Sequence, residues 1–397
     1  MVHRIYLSPG MFGFGHLASY NYFAHVKRAL EERLATNGDK VQIHVVDVPP
    51  TASVRRRAAI VATHVARTCG EADGGPIHLL GHSTGGLDAR LVASPSVRLP
   101  VEARDLVWLP RLASVTTMNT PHYGTPLAGF FATLSGQRML QALSAMTIIG
   151  LSVGAPPMAA VSGIIAALGG IDRKLGVEIR VLDRAMGALL RAVDETRSRE
   201  VRQYLDGIKQ DQAAVIQVTP EAMDLFQAGI EDQPGVLYQS TASMAPPPTA
   251  AGWAKKVIRP WDAMSHAVFT TLYELTVGYH DERYPCSAPD AGAAAEATLA
   301  RAFERLPGSR ANDGVVPIRS QIWGELSWAG YADHLDVLGH FKDVSSPPRA
   351  DEKETPEERA ARHVDWLSSG ALFDRAKFAA VMDAIALGLR RGSSKPT

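Results

Sequence analysis

The tightest constraint on this chain lies in its first 118 residues, where short apolar runs alternate with stretches of helical spacing. Ile5–Leu7, Val41–Val46, Ile77–Leu80 and Leu112–Met118 have strand character, being uniformly apolar or rich in β-branched residues. Between them Asn21–Ala35, Ser53–Thr68 and Thr84–Val92 carry helical spacing, and Ser53 is a natural N-cap. Repeated β-α-β units dictate an α/β fold, with a mostly parallel sheet and helices on both faces, because each crossover has to cover the sheet before the next strand can lie alongside. In open sheets of this kind the chemistry sits at the carboxyl ends of the strands.

The remainder of the chain is compatible with that plan. At 397 residues it can bury a sizeable core. No internal repeat or second domain stands out, so residues 1–397 read as a single domain. Hydrophobic residues at 46% and charged residues at 21% exclude disorder, coiled coil and collagen-like repeats. Lys plus Arg (41) balance Asp plus Glu (41), which removes any global electrostatic reason to expect nucleic acid or an anionic membrane as partner. A neutral or apolar substrate is expected. Cys69 and Cys286 are far apart and lack CxxC spacing, so they read as free thiols, with one disulfide as the alternative, and not as a zinc or redox site. Met1 leads directly into Val2–Leu7 without a charged head, long apolar region and cleavage site. That pattern suits a cytoplasmic chain, and equally a secreted one whose signal has been removed.

Residues 139–171 contain no charge, yet Pro156-Pro157 and several glycines interrupt them. Each piece is shorter than the roughly 20 residues of a membrane-spanning helix, so two apolar helical pieces joined at the prolines are expected. They are either buried packing or a lid closing over a site, with Arg173–Gln212 as the charged helical continuation. Further on, Val236–Ser240 and Trp323–Tyr331 are strand-like, and Ala288–Ala300 is helical after Asp290. Ser345–Glu358 is a solvated loop, and His363–Arg391 supplies closing helices.

Gly81-His82-Ser83-Thr84-Gly85 sits between an apolar strand and a helix, the setting in which a G-x-S-x-G sequence has mechanical meaning. A serine on so sharp a turn holds a strained backbone, and the residues two before and two after must be small to avoid collision. Gly81 and Gly85 satisfy this. The turn leaves the Thr84 N–H at a helix N-terminus, where negative charge is favoured. Serine needs a base, usually a histidine held by a carboxylate, and in an α/β-hydrolase fold the order is Ser, Asp or Glu, His. Among 13 histidines, His334 in Asp333-His334-Leu335-Asp336 is the first choice because it follows the last strand-like run, with His340 and His363 the other late options. Asp313, in the turn Asn312-Asp313-Gly314, is the acid, and Asp290 the fallback. A second oxyanion donor should come from the loop Ser8–His16, whose glycines allow close backbone approach, and Met11 is the residue chosen. Neither Lys-Ser/Thr nor GxGxxG accompanies that loop, which removes the reading as a phosphate cradle.

Taken in order, the PGMFGFG loop with Tyr20-Asn21-Tyr22-Phe23, the GHSTGG turn, Asn119-Thr120-Pro121-His122-Tyr123-Gly124-Thr125-Pro126, NDGVVP and DHLD resemble the bacterial triacylglycerol lipases of the Pseudomonas and Burkholderia type. The resemblance implies an α/β-hydrolase fold with a helical lid over residues 130–212. It also implies a Ser83–Asp313–His334 triad, with Met11 and Thr84 as oxyanion donors. It makes His122 a packing residue beside the site. It implies secretion, a lipid or ester substrate, lid contact with a lipid interface, and a structural calcium ion for which Asp336 is one ligand and Asp262 lies in a plausible region. The chain departs from the family at Pro9, where histidine is usual, at Thr84, where histidine or glutamine is usual, and in lacking a matching cysteine pair.

The resulting expectation is a serine hydrolase acting on carboxylic esters, as in lipid degradation, with no cofactor needed for the chemistry. Acyl transfer to an alcohol or depolymerisation of a polyester would use the same residues. A non-catalytic binding module of the same fold would require a broken triad, whereas Ser, Asp and His are all available. Oligomeric state is not legible from these features.

Overall fold

The computed structural model describes residues 2–11, 22–35, 40–70, 74–153, 184, 187–188, 190–191, 195–249, 260–343 and 363–394. The rest of the glycine-rich loop (12–16), Tyr20-Asn21, the Pro156-Pro157 junction with 154–171, the start of the charged continuation (173–183) and the polar stretch 345–358 lie outside the described residues.

Six parallel strands, β1 (Val2–Ser8), β2 (Lys40–Val45), β3 (Ile77–His82), β4 (Leu112–Met118), β5 (Leu237–Met244) and β6 (Glu325–Tyr331), pair in the order β2-β1-β3-β4-β5-β6. Between and after them run α1 (Ala24–Leu34), α2 (Val54–Thr68), α3 (Thr84–Ala93), α4 (Leu127–Phe131), α5 (Leu134–Val153), α6 (Glu195–Gln210), α7 (Ala213–Gln217), α8 (Pro220–Gly229), α9 (Pro260–Gly278), α10 (Ala293–Phe303) and α11 (Arg375–Ser393). The central strand β3 is buried along its whole length and accordingly reads as an apolar run, whereas the edge strand β2 mixes exposed and half-buried positions.

Alternation along β1 sorts the two faces. Ile5 and Leu7 join Val26 and Leu30 of α1 and Val381, Ile385 and Leu389 of α11. Tyr6, with Leu79 and Val115, joins Val54, Val61 and Val65 of α2 and Leu87 of α3. Helix starts follow local chemistry. The Ser53 hydroxyl accepts from Arg56 N–H at 3.2 Å at the start of α2, and Asp374 accepts from Lys377 N–H at 2.8 Å at the start of α11.

One expected element differs. Residues 363–374 are not helical, and among the described residues after 343 the one helix is α11. Ser368, Gly370 and Leu372 have φ of 43°, 84° and 52°, left-handed values that no α-helix tolerates in sequence. Helical spacing in that stretch is overridden by its Ser-Ser-Gly turn. Among the described residues no helix is long and apolar enough to cross a membrane, and Cys69 and Cys286 are both buried and unpaired.

The sheet order reverses direction between β1 and β3, since β2 lies on the outer side of β1. A crevice at such a switch point is where loops after two neighbouring strands diverge. Here the diverging segments are Pro9-Gly10-Met11 after β1 and Ser83 after β3, and their strands finish level, Ser8 opposite Gly81.

Candidate active site

Ser83 stands between β3 and α3 with φ 54° and ψ −130°, a conformation costing a non-glycine residue on the order of 1–3 kcal/mol. The turn is pinned by Ser83 N–H donating to the Met118 carbonyl at 2.9 Å and Gly86 N–H donating to the Ser83 carbonyl at 3.0 Å. Its glycines are sterically obligatory. A Cβ on Gly81 would lie 2.1 Å from the Gly85 carbonyl, one on Gly85 2.0 Å from the Ser8 carbonyl oxygen, and one on Gly10 2.6 Å from Ser83 Cβ. Gly10 thereby brings the loop after β1 into contact with the serine itself.

Asp313 and His334 come together from separate loops. The His334 ring donates from Nδ1 to Asp313 Oδ2 at 2.7 Å, and the His334 backbone N–H donates to the Asp313 carbonyl at 2.9 Å. A carboxylate only accepts, so the imidazole carries a proton on Nδ1, and the tautomer that acts as a base at Nε2 is the one this contact selects. That Nε2 is buried and has no hydrogen-bond partner among the described residues. Asp313 is saturated with donors: Oδ1 accepts from the N–H groups of Val315 (2.9 Å) and Val316 (2.7 Å), and Oδ2 also accepts from Asn119 Nδ2 (3.0 Å) and Gln321 Nε2 (3.2 Å).

The alternatives lie elsewhere. Asp290 is exposed and accepts from Gly292 N–H at 2.7 Å ahead of α10. His363 donates to the Gly339 carbonyl at 2.7 Å and stacks on His25 at 4.2 Å between ring centres, and His340 meets His25 edge-on. His122 is buried between Arg90 and Thr117, with ring nitrogens 3.1 Å and 3.0 Å from them.

Four residues that the sequence reading left without a role help hold this arrangement. Asn119, held at φ 48°, bridges Asp313 and the Ser243 hydroxyl (2.7 Å), while Gln321 ties Asp313 to β5 through the Ser243 carbonyl (3.0 Å). His82 donates from Nε2 to the His334 carbonyl at 2.9 Å, and its Nδ1 accepts from the Tyr22 hydroxyl at 2.6 Å. Burial, reinforced by the neighbouring His334, holds His82 well below the usual histidine range, so it is neutral and its two ring nitrogens serve opposite roles. Tyr22 also hydrogen-bonds the Gly10 backbone. The residue before the serine, the loop after β1 and the histidine loop are therefore linked through one phenol and one imidazole. His82 and Asn119 sat inside recognised motifs, and only the tertiary contacts distinguish them from spacers.

The loop after β1 is braced from the opposite face. Arg57 Nη2 donates to the Pro9 carbonyl at 2.5 Å and to Asp88 Oδ2 at 2.7 Å, and Asp88 Oδ2 accepts from Ser8 Oγ at 2.8 Å. Arg57 and Asp88 are both fully buried. Burial pushes the Asp88 carboxyl up and Arg57 pulls it back, the pattern of a desolvated pair that persists because each charge is matched.

A small pocket opens beside Ser83. Apart from Ser83, Thr84 and Thr125 its walls are apolar, with Met11, Leu127, Phe131, Leu140, Val215 and Val315 among them. Such a cavity suits a hydrocarbon chain better than a charged group.

The two aspartates that the resemblance ties to calcium are engaged with protein partners. Among the described residues no group of three or more His, Cys, Asp or Glu is arranged to hold a metal ion. Asp262 pairs with Lys342 at 3.0 Å. Asp336 Oδ2 accepts from Asp333 N–H at 2.8 Å, while Asp333 Oδ1 accepts from the N–H groups of Leu335 (3.0 Å) and Asp336 (3.1 Å). These bonds close the turn carrying His334 on itself. Burial, then repulsion within the Asp333–Asp336–Asp365 neighbourhood, pushes Asp336 well up and Asp333 up to about 7.

No family model matches the chain. A triacylglycerol lipase from Pseudomonas fragi is 30% identical over 124 residues, 31% of this chain and 36% of that protein. One from Vibrio cholerae serotype O1 is 34% identical over 124 residues, 31% of this chain and 34% of that protein. The match thus spans about a third of the length of these relatives. Among solved structures, EstA from Clostridium botulinum is similar with a TM-score of 0.46 and 17% identity, covering 96% of this chain and 87% of that one. Lipase 1 from Pelosinus fermentans gives 0.46 and 16%, covering 85% and 93%, and Staphylococcus hyicus lipase 0.43 and 14%, covering 98% and 96%.

Proposed function

We propose that this chain hydrolyses carboxylic esters, including lipid esters, through an acyl-enzyme on Ser83. The observation that carries the reading is the His82 bridge. The residue preceding a serine held at φ 54° is bonded to the backbone of a histidine whose Nδ1 is fixed by Asp313 and whose Nε2 is left unpaired. Both curated relatives are named triacylglycerol lipase, which supports the same class.

In this mechanism His334 Nε2 takes the Ser83 proton as Oγ attacks the ester carbonyl. The oxyanion is held by the N–H groups of Met11 and Thr84, the imidazolium by Asp313, and the alcohol leaves with the proton from His334. Water activated by His334 then releases the acid. The general base is worth about 10²–10⁴-fold and one oxyanion donor about 2.7–4 kcal/mol. The Asp88–Arg57 brace holds Pro9 and so aims Met11, which offsets the absence of histidine at that position.

The chain then acts as one α/β-hydrolase domain in which residues 130–212 form the lid. Phe131 and Leu140 from that segment line the pocket, which supports a cover whose apolar side meets the acyl chain or a lipid surface. The test is the Ser83→Ala protein on p-nitrophenyl esters: kcat is expected to fall at least about 10⁴-fold, and activity at the wild-type rate overturns the proposal.

A further inference from the structure

Thr84 carries a second polar group besides its backbone N–H. Its side-chain hydroxyl is buried and has no hydrogen-bond partner among the described residues. The residue forms the pocket wall together with Ser83 and Met11. The pocket's remaining threonine is different: Thr125 Oγ1 donates to the Val315 carbonyl at 2.5 Å and accepts from Leu127 N–H at 3.3 Å, so its hydroxyl is fully used by the fold. An unpaired buried hydroxyl costs about 1–3 kcal/mol. Valine would fill the same volume without that cost, so packing gives no reason for the oxygen.

We propose that the Thr84 hydroxyl donates a hydrogen bond to the carbonyl oxygen of the bound ester, joining the Met11 and Thr84 N–H groups as a third oxyanion donor. The inference rests on the ester-hydrolase reading and deepens it. Thr84 is the first residue of α3, where the exposed backbone donors already favour negative charge. Its β-branched side chain has few χ1 choices, so the hydroxyl loses little freedom when an acceptor arrives. A hydroxyl donor strengthens as the carbonyl oxygen becomes an oxyanion, which puts its contribution in kcat more than in substrate binding.

The test compares wild type, Thr84→Val and Thr84→Ser on a p-nitrophenyl ester, with kcat, KM and thermal midpoint measured for each. Thr84→Val is expected to lose kcat by at least about tenfold, on a scale that reaches about 10²–10³ for a full oxyanion donor, with KM within about threefold. Its thermal midpoint stays level or rises, because an unpaired hydroxyl has been removed. Thr84→Ser keeps kcat within about fivefold. A trifluoromethyl ketone, which forms a hemiketal oxyanion on Ser83, weakens against Thr84→Val in parallel with kcat. A Thr84→Val enzyme within about threefold of wild type in kcat, or one whose activity falls only together with its thermal midpoint, overturns the proposal. Fluorophosphonate labelling separates the two levels: a labelled wild-type Ser83 beside an indifferent Thr84→Val removes the hydroxyl alone, and an unlabelled Ser83 removes the ester-hydrolase reading with it.

Discussion

The turn carrying Ser83 and the loops carrying Asp313 and His334 reach the same end of the sheet by opposite means. Ser83 is fixed chiefly by backbone: β3 behind it, α3 ahead of it, the Met118 carbonyl that takes its N–H, and glycines that let the Ser8 and Gly85 backbones approach where no side chain fits. His334 and Asp313 are fixed by hydrogen bonds from remote segments, Asn119 from the end of β4, Gln321 from before β6, and His82 with Tyr22 from the opposite side. A locally built element tolerates no added atom. One built from long-range contacts tolerates shape changes but depends on each polar partner, because a buried donor or acceptor left alone pays its full desolvation cost.

That contrast can be broken from either side. Replacing Gly85 by alanine drives a Cβ to 2.0 Å from the Ser8 carbonyl oxygen, and a loss of more than about 4 kcal/mol is expected in denaturant unfolding, up to failure to fold. Replacing Asn119 by alanine removes one donor from Asp313 and one from Ser243. A loss of about 1–3 kcal/mol is expected, with kcat on a p-nitrophenyl ester down about tenfold as the histidine loses its fixed orientation. If the alanine at 119 were as damaging to stability as the one at 85, the distinction between the two regions would fail.

Acid sharpens the same comparison at the smallest scale. Burial holds His340, in the histidine loop, and His78, in β3, down to about 3. Because the folded values lie below the unfolded one, their contribution is complete above about 6.5 and is lost as pH falls, each by up to about 1.4 kcal/mol per pH unit. Asp333, pushed up to about 7, acts in the opposite sense and loses its contribution as pH rises toward 7. The histidines also include His82 and His122, both held well below the usual range. With His44, His64 and His363, also held down by burial, they outnumber the carboxyls that burial pushes up, Asp88, Asp232, Asp333 and Asp336, so denaturation midpoints are expected to drop between pH 6.5 and 5, and a midpoint that rises over this interval would contradict the account.

Most of the sheet was legible from short apolar or β-branched runs, which strands buried on both faces carry, and along β1 the side chains sort between the two faces. The strained serine was legible for the same reason. Its requirement for Gly81 and Gly85 is steric, Gly81 against Gly85 within the turn and Gly85 against Ser8 at the end of β1, and both glycines are written within five residues. The closing segment was not: residues 363–374 have helical spacing, but positive φ at Ser368, Gly370 and Leu372 stops the helix, and α11 starts only at Arg375.

What the sequence by itself determined is therefore the parallel sheet, the sharp turn at Ser83 and a short set of candidate acids and bases after it. Tertiary structure alone decided that Asp313 faces His334 and not His340 or His363, and that Asn119, Gln321, His82 and Tyr22 support them. It also decided that Asp336 caps its own turn, and that among the described residues the Thr125 hydroxyl has partners while that of Thr84 has none. Periodicity and sterics act between near neighbours and are written in order along the chain. The partner of a buried polar group is chosen by which distant segments the sheet brings within about 3 Å, and no local pattern encodes that distance.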